Sequence, residues 1–151
     1  MKIPYICSPL TELPPDVDAH KARKFYSRIA DAVETILGVR AFAPHEHSDP
    51  LTMTAAQKKE NVYEFCSDIV RNKTSLLIVV ALGPSWGGGG ECQIAADAYI
   101  PIVVLIEKGK RVSDYILDMP VIRAVIEYQI EEEGMALLAE QLMIMKNNNE
   151  I

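Results

Sequence analysis

The sequence lacks the features that mark several common classes of protein. Acidic residues outnumber basic ones by 21 to 15, and the net charge of −6 disfavours a nucleic acid polymer or an anionic membrane as the main partner. No apolar run approaches the roughly 20 residues that a membrane-spanning helix needs. A basic segment followed by an apolar one, typical of secretory signals, is also missing, so we expect a cytoplasmic protein.

Cysteines and familiar ligand motifs are equally sparse. The three cysteines, Cys7, Cys66 and Cys92, form no C-x-x-C pair, which favours reduced thiols over disulfides or a zinc site. His45 and His47 flank Glu46 without a matching ligand cluster elsewhere, so we expect no metal there. The chain has neither a G-x-G-x-x-G after its first predicted strand nor a G-K-[ST] phosphate loop.

Apolar residues, by contrast, make up 49% of the chain, enough for the core of a single domain over residues 1–151. Their spacing predicts helices and strands in alternation, and hence a five-stranded parallel sheet in a three-layer α/β sandwich. The predicted strands cover residues 2–7, 39–43, 76–82, 102–106 and 124–129. The predicted helices run from Asp18 to Leu37, from Thr54 to Val70 with Val62 facing inward, over 89–99, and over 131–145.

The most informative segment is Pro84–Glu91, which joins the buried run Leu76–Leu82 to a predicted helix. It holds four consecutive glycines, Gly87–Gly90, and one carboxylate, at the kind of strand-to-helix switch where open α/β sheets bind ligands. Glycines allow close approach of a ligand, and a helix N-terminus offers free N–H groups. Glu91 shares the inward face of this helix. It is therefore either a partly dehydrated nucleophile or an ordinary carboxylate near a helix start.

Asp68 and Trp86 are further candidates for the same region. Asp68 follows Asn61 and Glu64 on a polar helix stripe, which is typical of a solvated face. That helix ends just before the central strand, so Asp68 could also lie near Glu91, and two such carboxylates can divide the roles of nucleophile and proton donor. Trp86, the only tryptophan, is either a lid over a ligand ring or a packing anchor.

Five segments in order resemble the nucleoside 2-deoxyribosyltransferase family, including its branch of nucleoside 5'-monophosphate N-glycosidases. The most specific is Ser85 six positions before Glu91, which resembles the turn that carries the family's Glu nucleophile. The others are Tyr5-Ile6-Cys7-Ser8, Cys66-Ser67-Asp68-Ile69-Val70, Arg111-Val112-Ser113, and Glu127-Tyr128 before an acidic helix.

The resemblance implies cleavage of an N-glycosidic bond on a flavodoxin/Rossmann-like sheet. Glu91 would attack the anomeric carbon of a ribose or deoxyribose, Tyr5 would position Glu91, and Asp68 would assist the departing base or hold the sugar. The substrate would be a small nucleoside or nucleotide, with no metal and no organic cofactor. Since relatives share sites across subunits, a homodimer or higher homo-oligomer is expected, with Ser113 reaching a neighbour's site.

Ser85 favours hydrolysis of a nucleoside 5'-monophosphate, because the family's monophosphate hydrolases carry Ser where its transferases tend to carry Asp. The resemblance then places Gly87, Gly88 and Gly89 near the phosphate. It also places Ser8 at the substrate, and His45 in a loop that meets the base.

One departure from the family leaves the phosphate contact open. Hydrolase relatives have an Arg after the first strand, whereas this chain has Thr11-Glu12-Leu13. The phosphate would then be bound by Lys108, Lys110 or Arg111, or not at all. Two alternatives follow: a deoxyribosyltransferase that exchanges bases on free deoxynucleosides, and a nucleotide-binding sensor without turnover.

Overall fold

The computed structural model describes residues 1–54 and 61–151, which form a parallel sheet with helices on both faces. The strands lie side by side in chain order: β1 (Ile3–Cys7), β2 (Thr74–Ala81), β3 (Ile102–Glu107) and β4 (Ile122–Tyr128). The main helices are α1 (Ala19–Leu37), α3 (Val62–Asp68), α4 (Trp86–Asp97) and α6 (Glu131–Asn147). Shorter elements are α2 (His45–Ser48), α5 (Asp114–Leu117) and a π-helical turn over Ile69–Lys73. The α/β class with a parallel sheet is therefore confirmed.

The prediction of five strands is wrong, because residues 39–43 form a single parallel bridge to β1. Phe42 N–H donates to Pro4 O at 2.8 Å, and Ile6 N–H donates to Phe42 O at 2.9 Å. The next ladder bond in one direction needs an N–H from Pro44, and in the other direction it needs one from Pro4. Because proline has no N–H, the ladder cannot extend either way.

The two faces of the sheet carry separate apolar layers. The α1–α6 layer packs α1 and α6 over Ile6, Leu76 and Ile78. The α3–α4 layer packs the π-helical turn, α4 and the segment before β4 against Tyr5 and Leu77. Successive residues of β2 thus face opposite layers, as expected for a strand buried on both sides.

Helix boundaries follow local capping. The Asp18 carboxylate accepts from Lys21 N–H at 2.8 Å to begin α1, and Gly38, with φ of 77°, ends it. Residues 55–60 of the predicted second helix lie outside the described residues. The side chain of Asn61 caps α3, and the chain is helical from there. Val62 was predicted to face inward, but it is 52% exposed, so that prediction is wrong. Among the described residues, no helix has the length and apolarity to cross a membrane.

Candidate functional site

A hydrogen bond between Tyr5 and Glu91 links the middle of β1 to the second turn of α4. The Tyr5 hydroxyl donates to Glu91 Oε1 at 2.6 Å, across 86 positions of sequence. Tyr5 is fully buried, and its ring stacks on Phe42 with 5.3 Å between the ring centroids. The phenol is therefore held rigidly, and it fixes one oxygen of the carboxylate.

Burial controls the ionisation of Glu91. Loss of hydration raises the pKa of Glu91, while hydrogen bonds from Tyr5 and Cys7 act in the opposite direction. The helix was predicted over 89–99, with Glu91 near its start. Because α4 begins at Trp86, Glu91 lies instead in the second turn. The helix dipole acts mainly on the first turn, which explains why desolvation prevails. The site therefore holds a carboxylate with little hydration and no ion-pair partner among the described residues.

The helix begins earlier than predicted because Ser85 caps it. Ser85 Oγ accepts from Gly88 N–H at 3.1 Å, and Ser85 O accepts from Gly89 N–H at 3.0 Å. The amides of Trp86 and Gly87 precede the first intrahelical bond and have no acceptor within α4. These two amides are available to an anion at the mouth of the turn.

The four glycines of α4 are helical, and none has a positive φ. A Cβ on Gly88 would lie 3.3 Å from Cys7 Sγ and from Ser85, so this position is packed tightly. A Cβ on Gly87, Gly89 or Gly90 would meet no atom within 4 Å. Of these four glycines only Gly88 is therefore closely packed, and the other three leave open space along the helix.

That open space belongs to a cavity of about 810 Å³ at the carboxyl ends of β1 and β2. Of the predicted substrate-binding residues, Ser8, Ser85, Gly88, Gly89 and Ser113 line it. Gly87 is not part of the lining, but its chain neighbours Trp86 and Gly88 are. Glu91 does not line the cavity itself, but Gly90 and Cys92 on either side of it do, as does Cys7, whose thiol interacts with Glu91.

The structure does not bring Asp68 to this cavity. Asp68 is exposed near the end of α3, where Lys73 Nζ lies 2.8 Å from Oδ2 and Asn72 donates to Oδ1 at 2.8 Å. The hydrogen bond from Lys73 is the main cause that lowers the pKa of Asp68. In this arrangement Asp68 is ionised at neutral pH, so it is suited to accept a hydrogen bond and poorly suited to donate a proton.

His45 also lies outside the cavity lining. Its Nε2 is 2.9 Å from Ser27 Oγ, and its buried Nδ1 has no partner among the residues described. Burial lowers the pKa of His45, so the ring is neutral at physiological pH. The neighbouring His47 stacks on the other side of Phe42, with the ring centroids 4.4 Å apart, and so extends the aromatic stack that begins at Tyr5.

A buried ion pair secures α2, which carries these histidines. Arg23 Nε lies 2.5 Å from Asp49 Oδ2, and Arg23 NH2 donates to Asp49 Oδ1 at 2.7 Å. Arg23 also donates to Leu10 O at 3.1 Å, which ties the loop after β1 to the same pair. The sequence analysis did not single out this pair or Phe42, because their partners lie far away in the sequence.

The structure separates the three cations proposed for phosphate binding. Lys110 pairs with Asp16 at 2.8 Å, and Lys108 lies beside Glu127 and Glu133 in a different depression. Arg111 lines the large cavity, and so does Glu12.

Trp86 is 96% exposed and lines the same large cavity, so it does not anchor the core of this chain.

Comparisons with known proteins place this site on a known fold. No family model matches the sequence, and no curated protein matches it either. The structure superposes on "Structure of Clostridium botulinum CMP N-glycosidase, BcmB" with a TM-score of 0.64 and 14% identity, covering 93% of this chain and 99% of that one. The chain shares the fold of this N-glycosidase. A conserved protein from Enterococcus faecalis V583 matches with a TM-score of 0.56 and 16% identity, over 94% of this chain and 97% of that one.

Proposed function

We propose that this protein hydrolyses the N-glycosidic bond of a nucleoside 5'-monophosphate and releases the free base. The observation that carries the proposal is the hydrogen bond between Tyr5 and Glu91 beside the glycine-lined cavity. The fold shared with a CMP N-glycosidase supports it.

Glu91 acts as the nucleophile. The carboxylate oxygen of Glu91 that Tyr5 does not bind attacks the anomeric carbon of the sugar, and the C–N bond breaks. The electron pair of that bond leaves with the base, which takes a proton from solvent. Tyr5 holds the other oxygen of the carboxylate throughout. Water then attacks the glycosyl ester, which releases the sugar phosphate and regenerates the Glu91 carboxylate.

The 5'-phosphate lies at the start of α4. The amides of Trp86 and Gly87, which have no acceptor within α4, and the hydroxyl of Ser85 supply hydrogen-bond donors, while Arg111 supplies the positive charge. Ser113 also lines this cavity and supplies a further hydroxyl. Asp68, ionised beside Lys73, serves at most to hold the base or sugar and not to protonate it.

The experiment is to incubate the protein with each nucleoside 5'-monophosphate and measure the free base by chromatography. Removal of a nucleophile costs several orders of magnitude, so Glu91→Ala should reduce the rate by about 10⁴-fold or more. Glu140→Ala, which removes an exposed carboxylate on α6, is the matched control and should leave the rate unchanged.

Activity that survives in Glu91→Ala would falsify this mechanism. Addition of a second base to the reaction distinguishes the alternatives: base exchange on free deoxynucleosides indicates a deoxyribosyltransferase. Nucleotide binding without any product over long incubation indicates a sensor.

A further inference from the structure

The Cys7 thiol forms a second link between β1 and α4, besides the hydrogen bond from Tyr5 to Glu91. It donates to Gly88 O, with 3.7 Å between the sulfur and the oxygen. A thiol is a weak donor, and a carbonyl oxygen has two lone pairs, so Gly88 O accepts this bond in addition to its bond within the helix. The proposed mechanism does not use this contact.

The geometry of strand and helix sets the two links side by side. Tyr5 and Cys7 are two residues apart on β1, so both face the α3–α4 layer, whereas Ile6 between them faces the other layer. Gly88 and Glu91 are three residues apart on α4, a spacing that places them on one face of a helix. The link from Tyr5 holds a side chain, and the link from Cys7 holds the backbone of the helix itself.

Close packing at Gly88 leaves little room for movement between the helix and Cys7. A Cβ on Gly88 would lie 3.3 Å from Cys7 Sγ, and the Gly88 N–H donates to Ser85 Oγ at 3.1 Å. The amide of Gly88 is thus held at the helix cap, and its carbonyl is held by β1. The first turn of α4 is therefore fixed to the same strand that carries Tyr5.

The surroundings of Cys7 keep its thiol protonated. Cys7 is 2% exposed, and interaction with the Cys92 thiol and loss of hydration both raise the pKa of Cys7. Only a protonated thiol can donate a hydrogen bond, whereas a thiolate would compete with Glu91 as a nucleophile. Because Cys7 also lines the cavity, a bound substrate would lie beside a donor that does not react with it.

We infer that Cys7 is a positioning residue, which fixes the first turn of α4 at the distance from Glu91 that the reaction needs. The inference rests on the proposed function. With the 5'-phosphate bound at Trp86 and Gly87, the anomeric carbon must come within about 3–3.5 Å of a Glu91 oxygen. A shift of the first turn relative to β1 would spoil that approach. Cys7 acts on it only through Gly88.

The experiment measures base release from nucleoside 5'-monophosphates by Cys7→Ala. Loss of the bond should lower kcat about three- to tenfold, the net effect of one hydrogen bond. KM should stay within about twofold, because the groups that bind the phosphate remain on the helix. Ile29→Val is the matched control, since it removes one carbon from a fully buried side chain in the α1–α6 layer. It should lower Tm to a similar extent and leave kcat unchanged.

A double variant separates positioning from packing. In Cys7→Ala/Gly88→Ala, the added Cβ occupies space that the sulfur has left. The Tm should therefore recover relative to Cys7→Ala. The kcat should stay low, because the hydrogen bond to Gly88 O is still missing.

A wild-type kcat in Cys7→Ala would overturn the inference, and so would recovery of kcat together with Tm in the double variant. If the wild type releases base from no nucleotide, the proposed function fails instead. Deuterium exchange then decides the inference. The amides of residues 88–92 must exchange faster in Cys7→Ala than in Ile29→Val, and equal rates would contradict the positioning role.

Discussion

The two layers of this protein hold their buried charged groups in opposite ways. In the α1–α6 layer Arg23 and Asp49 neutralise each other in a bidentate pair, and Tyr26 nearby donates to Pro9 O at 2.9 Å. In the α3–α4 layer the Glu91 carboxylate is buried with a phenol and a thiol, and none of the described residues gives it a cation. Breaking the first arrangement would leave a buried charge without its partner. In the second, burial raises the pKa of Glu91, the residue that we propose as the nucleophile.

The largest expected effect on stability comes from breaking the pair in the α1–α6 layer. Asp49→Asn leaves the Arg23 guanidinium buried without its counter-charge, so we expect unfolding free energy to fall by roughly 3–5 kcal/mol in urea titrations. Glu131→Gln, which breaks an exposed pair with Arg28, is the control and should cost less than about 1 kcal/mol. Equal losses of unfolding free energy in Asp49→Asn and Glu131→Gln would show that the buried pair matters no more to stability than the exposed one.

The pH dependence of this stabilisation has a definite sign. Hydrogen bonding from Arg23 lowers the pKa of Asp49 below its unfolded value of about 3.9. The stabilisation is therefore complete above that value and is lost as the pH falls through the folded pKa. Asp49→Asn should be less sensitive to acid than the wild type.

The next largest effect is on activity in the α3–α4 layer. Tyr5→Phe removes a hydrogen bond to a charged group, so we expect kcat to fall about tenfold. Since that bond lowers the pKa of Glu91, its loss raises the pKa, and the acidic limb of the pH–rate profile should move to higher pH. Tyr26→Phe in the opposite layer should reduce stability and leave the limb in place. An unmoved limb in Tyr5→Phe would show that Glu91 is not the group titrated.

A smaller effect tests whether the glycines of α4 serve the site or the fold. Gly89→Ala adds a Cβ in open space within a helix, so stability should rise by about 0.5–1 kcal/mol while turnover falls. Gly88→Ala should instead lower stability, because its Cβ approaches Cys7 Sγ and Ser85 at 3.3 Å. Thermal unfolding and base release measured on both variants decide the point. A fully active Gly89→Ala would remove this glycine from the proposed site.

The smallest expected effect is a gain in stability from Glu91→Gln. Burial raises the pKa of Glu91, so folding favours the neutral carboxyl, and stability declines as the pH rises through the folded pKa. A neutral Gln avoids that decline. At pH values above the folded pKa of Glu91, the Tm of Glu91→Gln should therefore exceed that of the wild type, and in acid the two Tm values should be equal. The hydrogen bond from Tyr5 to the carboxylate limits the gain. A lower Tm at neutral pH would mean that Glu91 stabilises the fold.

Local sequence patterns predicted most of the secondary structure, because apolar runs and capping residues act over short distances. The strand at 39–43 was overpredicted because its ladder is limited by Pro44, which follows it, and by Pro4 of β1. The start of α4 was placed late because four glycines outweighed the cap at Ser85.

Within the candidate site, the sequence pointed to Glu91 and its neighbours as candidates but did not show every relationship between them. The resemblance paired Tyr5 with Glu91, and the structure places them in contact. The exposed position of Asp68 beside Lys73 depends on how α3 lies against the sheet, which no pattern of spacing reveals. Glu12 and Arg111 likewise meet at one cavity only because separate loops end at the same edge.

The glycine-rich first turn of α4 also makes one end of this helix easier to open than the other. Each glycine disfavours helix by about 1 kcal/mol relative to alanine, so this turn depends on the Ser85 cap and on contact with the sheet. Its amides should therefore exchange with deuterium sooner than those of the second half of the helix. Within α4, the proposed anion-binding end should thus be the first part to lose order when the structure fluctuates.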